Sequence, residues 1–130
     1  MITEDYVSFG TAKLLKEKGF DECCGCFYDT ENDDVSIVNG WMDISNSELE
    51  GKEFVRYSAP TLQMAMKWLR EVYNYNIEID TIGQKSRNTL SWGSVIYNLE
   101  NGIEYYREET FKSYEEACEA AIKYCLENLI

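Results

Sequence analysis

A chain of 130 residues with 45% apolar and 14% aromatic side chains is the size of one ordinary domain, expected to bury roughly two-thirds of its unfolded surface around one core. Twenty-four carboxylates against twelve basic side chains give a formal charge of −12, which repels nucleic-acid backbones and anionic membranes at long range. There is no histidine, so the usual general base near neutral pH and the commonest metal ligand are both missing.

In chain order, Thr3 is expected to cap a first helix whose opening turn holds Glu4 and Asp5. Val7, Thr11, Leu14 and Leu15 line one side of it, and Gly19 ends it. Cys24 to Asp29 is short, aromatic and β-prone, and a second apolar run, Val35 to Val38, follows the polar loop Thr30 to Asp34, which predicts a hairpin. Asn39-Gly40 reads as a further tight turn into Trp41 to Ile44. Ser45 to Lys52 is polar without period and reads as the one long loop, not as a domain boundary, because neither flank is expected to build a core alone.

The cleanest periodicity lies in Ala59 to Asn76. Leu62, Ala65, Met66, Leu69, Val72 and Tyr73 fall on one side of a helix, with Gln63, Lys67, Arg70, Glu71 and Asn74 on the other. Pro60 marks its start and the Asn74 to Asn76 run its stop. Ile77, Ile79 and Thr81 alternate with carboxylates as in a half-buried strand. Ser91 to Glu100, the pair Asn101-Gly102, and Ile103 to Glu109 then predict a hairpin with a two-residue turn, in which Glu100 faces Ile103 and Tyr97 faces Tyr106. Ser113 and Glu116 form a capping box that opens a last helix, with Ala117, Ala121, Tyr124 and Cys125 inward.

The order α-β-β-loop-α-β-β-β-α lacks the alternation of a parallel sheet. It predicts a single α+β domain over 1–130, with three helices on an antiparallel or mixed sheet of about five strands. The strings APTLQMAMKWLREVYN and YEEACEAAIKYCLENLI, with VSFGTAKLLKEKGFD near the start, resemble a recurrent group of small uncharacterised acidic proteins from Bacteroides-type gut bacteria and their phages. The resemblance covers roughly a third to two-fifths of the chain and implies a bacterial or phage intracellular setting. It brings no activity, cofactor or catalytic residue.

The second half also has the element order of the double-stranded-RNA-binding domain. That module needs Lys and Arg at the start of its last helix to meet phosphates, and here the position reads SYEEACEA. Cys23-Cys24-Gly25-Cys26 suggests a metal or redox site, but structural zinc wants a second pair of ligands, and Cys118 and Cys125 are spaced as helix-packing residues. Free, partly buried thiols are the expectation, and neither a metal nor a cofactor is expected. The acidic run Asp29, Glu31, Asp33, Asp34 fails as a calcium loop, since the sixth and twelfth positions are Asp34 and Gly40 where Gly and Glu are required. No phosphate-binding glycine loop or nucleophile elbow occurs, so no catalytic residue is assigned.

Ten tyrosines and three tryptophans exceed what one small core needs. Trp92, Tyr97, Tyr105 and Tyr106 occupy both faces of one ribbon, and helices of a two-layer domain cover only one face, so these four are the candidate interaction surface. The expected function is a small, non-enzymatic protein-interaction protein with a protein partner or a homodimer. An acidic nucleic-acid mimic inhibiting a host or defence protein, and an enzyme using carboxylates or a thiol, are the alternatives. With an acidic N-terminus and no apolar run of about 18 residues, a cytoplasmic protein binding neither nucleic acid nor membrane is expected.

Overall fold

The computed structural model describes residues 2–30, 35–50 and 55–130. The chain divides into two compact units, Met1–Thr61 and Leu62–Ile130. The fold is α+β, with two separate three-stranded antiparallel sheets among the described residues, one in each unit, where one sheet of about five strands was expected.

In the first unit, α1 (Phe9–Glu17) starts at Ser8, whose hydroxyl accepts the Thr11 N–H at 3.3 Å. The start expected at Thr3 is therefore corrected. The backbone ahead of Ser8 is committed elsewhere: Tyr6 bridges Thr61 and the Val7 N–H donates to the Pro60 carbonyl at 3.0 Å. The helix does end at Gly19, which has φ +93°. Phe20 N–H bonds Leu15 O at 2.9 Å and Gly19 N–H bonds Lys16 O at 3.1 Å, so two orphan carbonyls of the last turn are satisfied by the left-handed cap.

The first sheet has the order β2-β1-β3, with β1 (Cys24–Asp29) in the middle. β2 (Ser36–Ile44) runs straight through Asn39-Gly40, so the turn expected there is absent. Cys26 pairs with Asn39 and Cys24 with Ile44, and an irregularity between the two pairs absorbs the surplus residues of β2. The loop expected at 45–52 contains a one-turn helix, α2 (Asn46–Leu49), and β3 (Arg56–Ser58) is a strand too short to show a period. Asn46 is buried and bonds both ways: its amide donates to Phe20 O at 2.7 Å and its carbonyl accepts the Ser58 N–H at 2.9 Å. Phe9 of α1 meets the cross-strand pair Tyr28 and Tyr57 edge-on, both at 5.6 Å.

In the second unit, α3 (Leu62–Tyr73) buries Leu62, Ala65, Met66 and Leu69 as its period predicts, together with Trp68. Val72, expected inside, is 54% exposed, because it lies in the last turn before Asn74 takes φ +63° and ends the helix. β4 (Tyr75–Ile82), β5 (Ser91–Asn98) and β6 (Glu104–Phe111) form a sheet with β5 central. β4 and β5 pair over eight residues without interruption, from Tyr75 opposite Asn98 to Ile82 opposite Ser91. A Cβ at Gly93 would stand 3.2 Å from the Glu108 carbonyl, so the centre of β5 has no room for a side chain there. α4 (Tyr114–Tyr124) packs against all three strands, and a π-helical turn, Cys125–Leu129, follows it. Ser113 caps α4 as expected, its hydroxyl accepting the Glu116 N–H at 3.1 Å. Cys118 and Ile122 are buried beside Ala117, Ala121 and Cys125, while Tyr124 is only half-buried.

Candidate functional site

The hairpin turn is longer than two residues. Asn98 N–H bonds Ile103 O at 2.9 Å and Gly102 N–H bonds Asn98 O at 2.8 Å, so Leu99 to Gly102 form a four-residue loop. Asparagine side chains make it so. Asn98 Oδ1 accepts the N–H groups of Glu100 and Asn101, at 2.9 and 3.3 Å, and Asn101 Oδ1 accepts that of Ile103 at 2.9 Å. The register shifts accordingly: Ile96 opposes Tyr106, Tyr97 opposes Glu104, and Tyr105 is the extra residue of a bulge. The expected pairing of Tyr97 with Tyr106 is thus corrected.

This register separates the four candidate aromatics. Trp92 and Tyr106 lie on the face under α4, with Trp92 edge-on to Tyr114 at 5.8 Å and Tyr106 tilted against Tyr124 at 4.2 Å. Burial raises the pKa of the Tyr106 hydroxyl, with the neighbouring Ser94 pulling the other way. Tyr97, half-buried, points to the opposite face, in line with Asn76 and Glu104. Tyr105 is 41% exposed; its ring meets Tyr75 edge-on at 5.9 Å and its hydroxyl accepts the Asn101 amide at 3.3 Å.

Sequence reasoning missed what surrounds Tyr105. Leu99 and Ile103 are 52% and 53% exposed at the same turn. Leu99 N–H bonds Asn74 O at 2.7 Å and the Asn74 amide bonds Glu100 at 3.0 Å, which places the end of α3, with exposed Val72, beside the turn. One end of the unit therefore gathers four exposed apolar side chains, Val72, Leu99, Ile103 and Tyr105. Apolar residues flanking Asn101-Gly102 were the available signal, overshadowed by tyrosines farther along the strands.

The opposite sheet face carries charged side chains on both strands flanking Val95 and Tyr97. Glu78 and Asp80 are exposed on β4, and on β6 Arg107 lies between Glu104, at 2.6 Å, and Glu109, at 3.6 Å. Two of its carboxylates thus already have a cation.

In the first unit, Cys24 and Cys26 are buried and Cys23 is exposed. Burial first, then the charges of Cys23 and Asp43, push the Cys24 thiol up to about 12. Desolvation and the carboxylates of Glu48 and Asp43 raise Cys23, whose sulfur lies 3.9 Å from Glu48 Oε1. Tyr6 bonds the Cys26 sulfur, which raises the pKa of its hydroxyl. On α4 burial pushes Cys118 to about 11, and in the turn that follows it pushes Cys125 to about 12. The thiolate is the nucleophile and the ligand, so thiols held protonated well above neutral pH are poorly set for either task. Among the described residues no three His, Cys, Asp or Glu side chains gather as a metal site. Of the acidic run, Asp29 is paired with Arg56 at 3.3 Å, whereas Glu31, Asp33 and Asp34 lie outside the described residues. No helix among the described residues is long and apolar enough to cross a membrane. No protein-family model matches the chain, and neither a curated protein nor a solved structure matches it significantly.

Proposed function

We propose that the protein is a small, non-enzymatic interaction protein of bacterial or phage origin, acting in the cytoplasm, whose contact surface is the tip of the 91–109 hairpin. The observation that carries the reading is the exposure of Leu99, Ile103 and Tyr105 at a turn held by its own asparagine side chains, with exposed Val72 at the neighbouring end of α3. Preformed apolar anchors with an aromatic among them are what recognition surfaces use, since little ordering is needed on binding. Of the four candidate aromatics, Tyr105 belongs to this surface directly, whereas Trp92 and Tyr106 pack under α4, Trp92 at the far end of β5.

The acidic mimic draws support from Glu78 and Asp80, exposed on alternate positions of one strand. It is the weaker reading, because the cation of Arg107 interrupts the acidic surface next to them. Affinity capture from a bacterial extract tests the two. A partner held by the wild type at about 500 mM salt and lost by an Ile103→Ser/Tyr105→Ser variant supports the tip, since screening beyond a Debye length leaves apolar contacts intact. A partner held equally by the variant but released at that salt would transfer the preference to the mimic.

A further inference from the structure

We propose that the partner seated on the hairpin tip is a second copy of this chain, docked head to tail. The Leu99–Tyr105 end of one copy would lie against the Ile82–Leu90 end of the next. The inference rests on the interaction reading above and names its occupant.

The two ends of the second unit are unlike and complementary. At the tip, the apolar residues are flanked by exposed Glu71 and Glu100, and by Glu104, which is paired with Arg107. At the other end of β5, Ile82 and Leu90 are 40% and 36% exposed, with exposed Lys85, Arg87 and Lys112 around them. From Thr81 to Leu99 the chain carries no carboxylate at all. Of the carboxylates bordering this end, Asp80 leans over the bare backbone of Gly93 and Glu116 is held by the Lys112 N–H at 3.0 Å, while Glu115 is exposed. Lys85 and Arg87 enter no ion pair among the described residues.

The loop that presents these cations is already built. Gly83 has φ +81°, and a Cβ on it would collide with the Thr89 carbonyl. Gln84 N–H donates to Thr89 Oγ1 at 2.9 Å, Thr89 N–H to Gln84 O at 3.1 Å, and Asn88 takes φ +56° to close the turn. The loop backbone is thus set before docking, which leaves only the side chains of Lys85 and Arg87 to be ordered.

The overall charge of −12 opposes self-association, so distance decides. β5 is eight residues long, about 26 Å at 3.3 Å per residue, against a Debye length of roughly 8 Å at physiological ionic strength. Carboxylates at the far end of the second unit are therefore screened, whereas groups in contact at the joint are not. Because the two surfaces differ, the contact is heterologous and does not close on a two-fold axis; further copies add to either end.

Sedimentation velocity on the full chain, up to about 1 mM in about 150 mM salt, reads this directly, since even a millimolar contact is populated there. The weight-average mass of the wild type should rise past the dimer with concentration, and rise less in high salt. A tip variant, Leu99→Ser/Ile103→Ser, and a loop variant, Lys85→Glu/Arg87→Glu, should each stay at monomer mass while melting as the wild type does. Mixed in equal amounts they should form a one-to-one dimer and stop, because one supplies an intact loop and the other an intact tip. Association that survives in either variant, or a mixture that does not associate, overturns the head-to-tail contact. A wild type that stays monomeric overturns it too; if that wild type still captures a foreign partner through the tip, the interaction reading stands alone, and if it does not, both fall.

Discussion

The two three-stranded sheets are built in different ways. In the second unit, β4 and β5 run eight residues in unbroken register and are covered by helices whose apolar stripes recur at helical spacing. In the first, β1 shares only three pairs with β3, and the strands are held by side chains reaching to distant backbone. Tyr28 OH donates to Val7 O at 2.6 Å, Thr30 Oγ1 to Val55 O at 2.6 Å, and Asn46 ties Phe20 to Ser58. The difference teaches that short elements persist where side chains replace the missing ladder, since a buried backbone group left without a partner is costly.

Alkali should act on both units and most strongly. Cys24, Cys118 and Cys125 have folded pKa values of about 12, 11 and 12, above the ordinary thiol value of about 9. A raised acid holds its proton longer folded than unfolded, so stability is complete below about pH 9 and falls as pH rises from there to about 12. Denaturant midpoints measured across that window should drop steeply. A triple Cys→Ala variant should show a shallower slope, and an equal slope would assign the effect to tyrosines and lysines.

Leu69→Ala should cost about 2–5 kcal/mol, because it empties a fully buried site on α3, whereas Lys67→Ala on the solvent side should cost under about 0.5 kcal/mol. Equal losses in chemical denaturation would mean that periodic packing is not what holds the second unit. Asn46→Ala should cost about 2–4 kcal/mol by orphaning a buried carbonyl and a buried N–H at once. Asn46→Asp should not rescue it, since an ionised carboxylate cannot donate to Phe20 O. A near-neutral Asn46→Ala would remove the basis for the contrast between the sheets. The smallest effect is at the α4 cap, where Ser113→Ala should cost about 1 kcal/mol in thermal melts.

What was readable in the sequence follows the same division. The stripe of α3, the serine cap of α4 and the glycine stop of α1 are local patterns and are present, although the Glu116 carboxylate accepts from Lys112 N–H where the capping box expected Ser113 N–H. The start of α1 was misread because Val7 and Tyr6 are claimed by Pro60 and Thr61, far along the chain. α2 was invisible for a similar reason, since the first-turn N–H of Ser47 is bonded by Asp21 at 2.7 Å. In the candidate site, the hairpin itself was readable from Asn101-Gly102, but its register was not. Asn98 and Asn101 bond their own turn and lengthen it, which moves Tyr106 opposite Ile96 and leaves Tyr105 as the extra residue.

That extra residue has a bearing on how the molecule behaves at high concentration. β6 is an edge strand, and edge strands invite sideways growth by strands from other molecules, the route to fibrils. Its ladder is broken twice, between the partners of Trp92 and Ser94 and again at Tyr105, so its outer rim is kinked and its hydrogen-bonding groups fall out of step with any straight newcomer. Deleting Tyr105 would leave Glu104 and Tyr106 adjacent and smooth that stretch of the rim into an open template. The bulge that sets Tyr105 at the tip therefore also disfavours lateral strand pairing along β6.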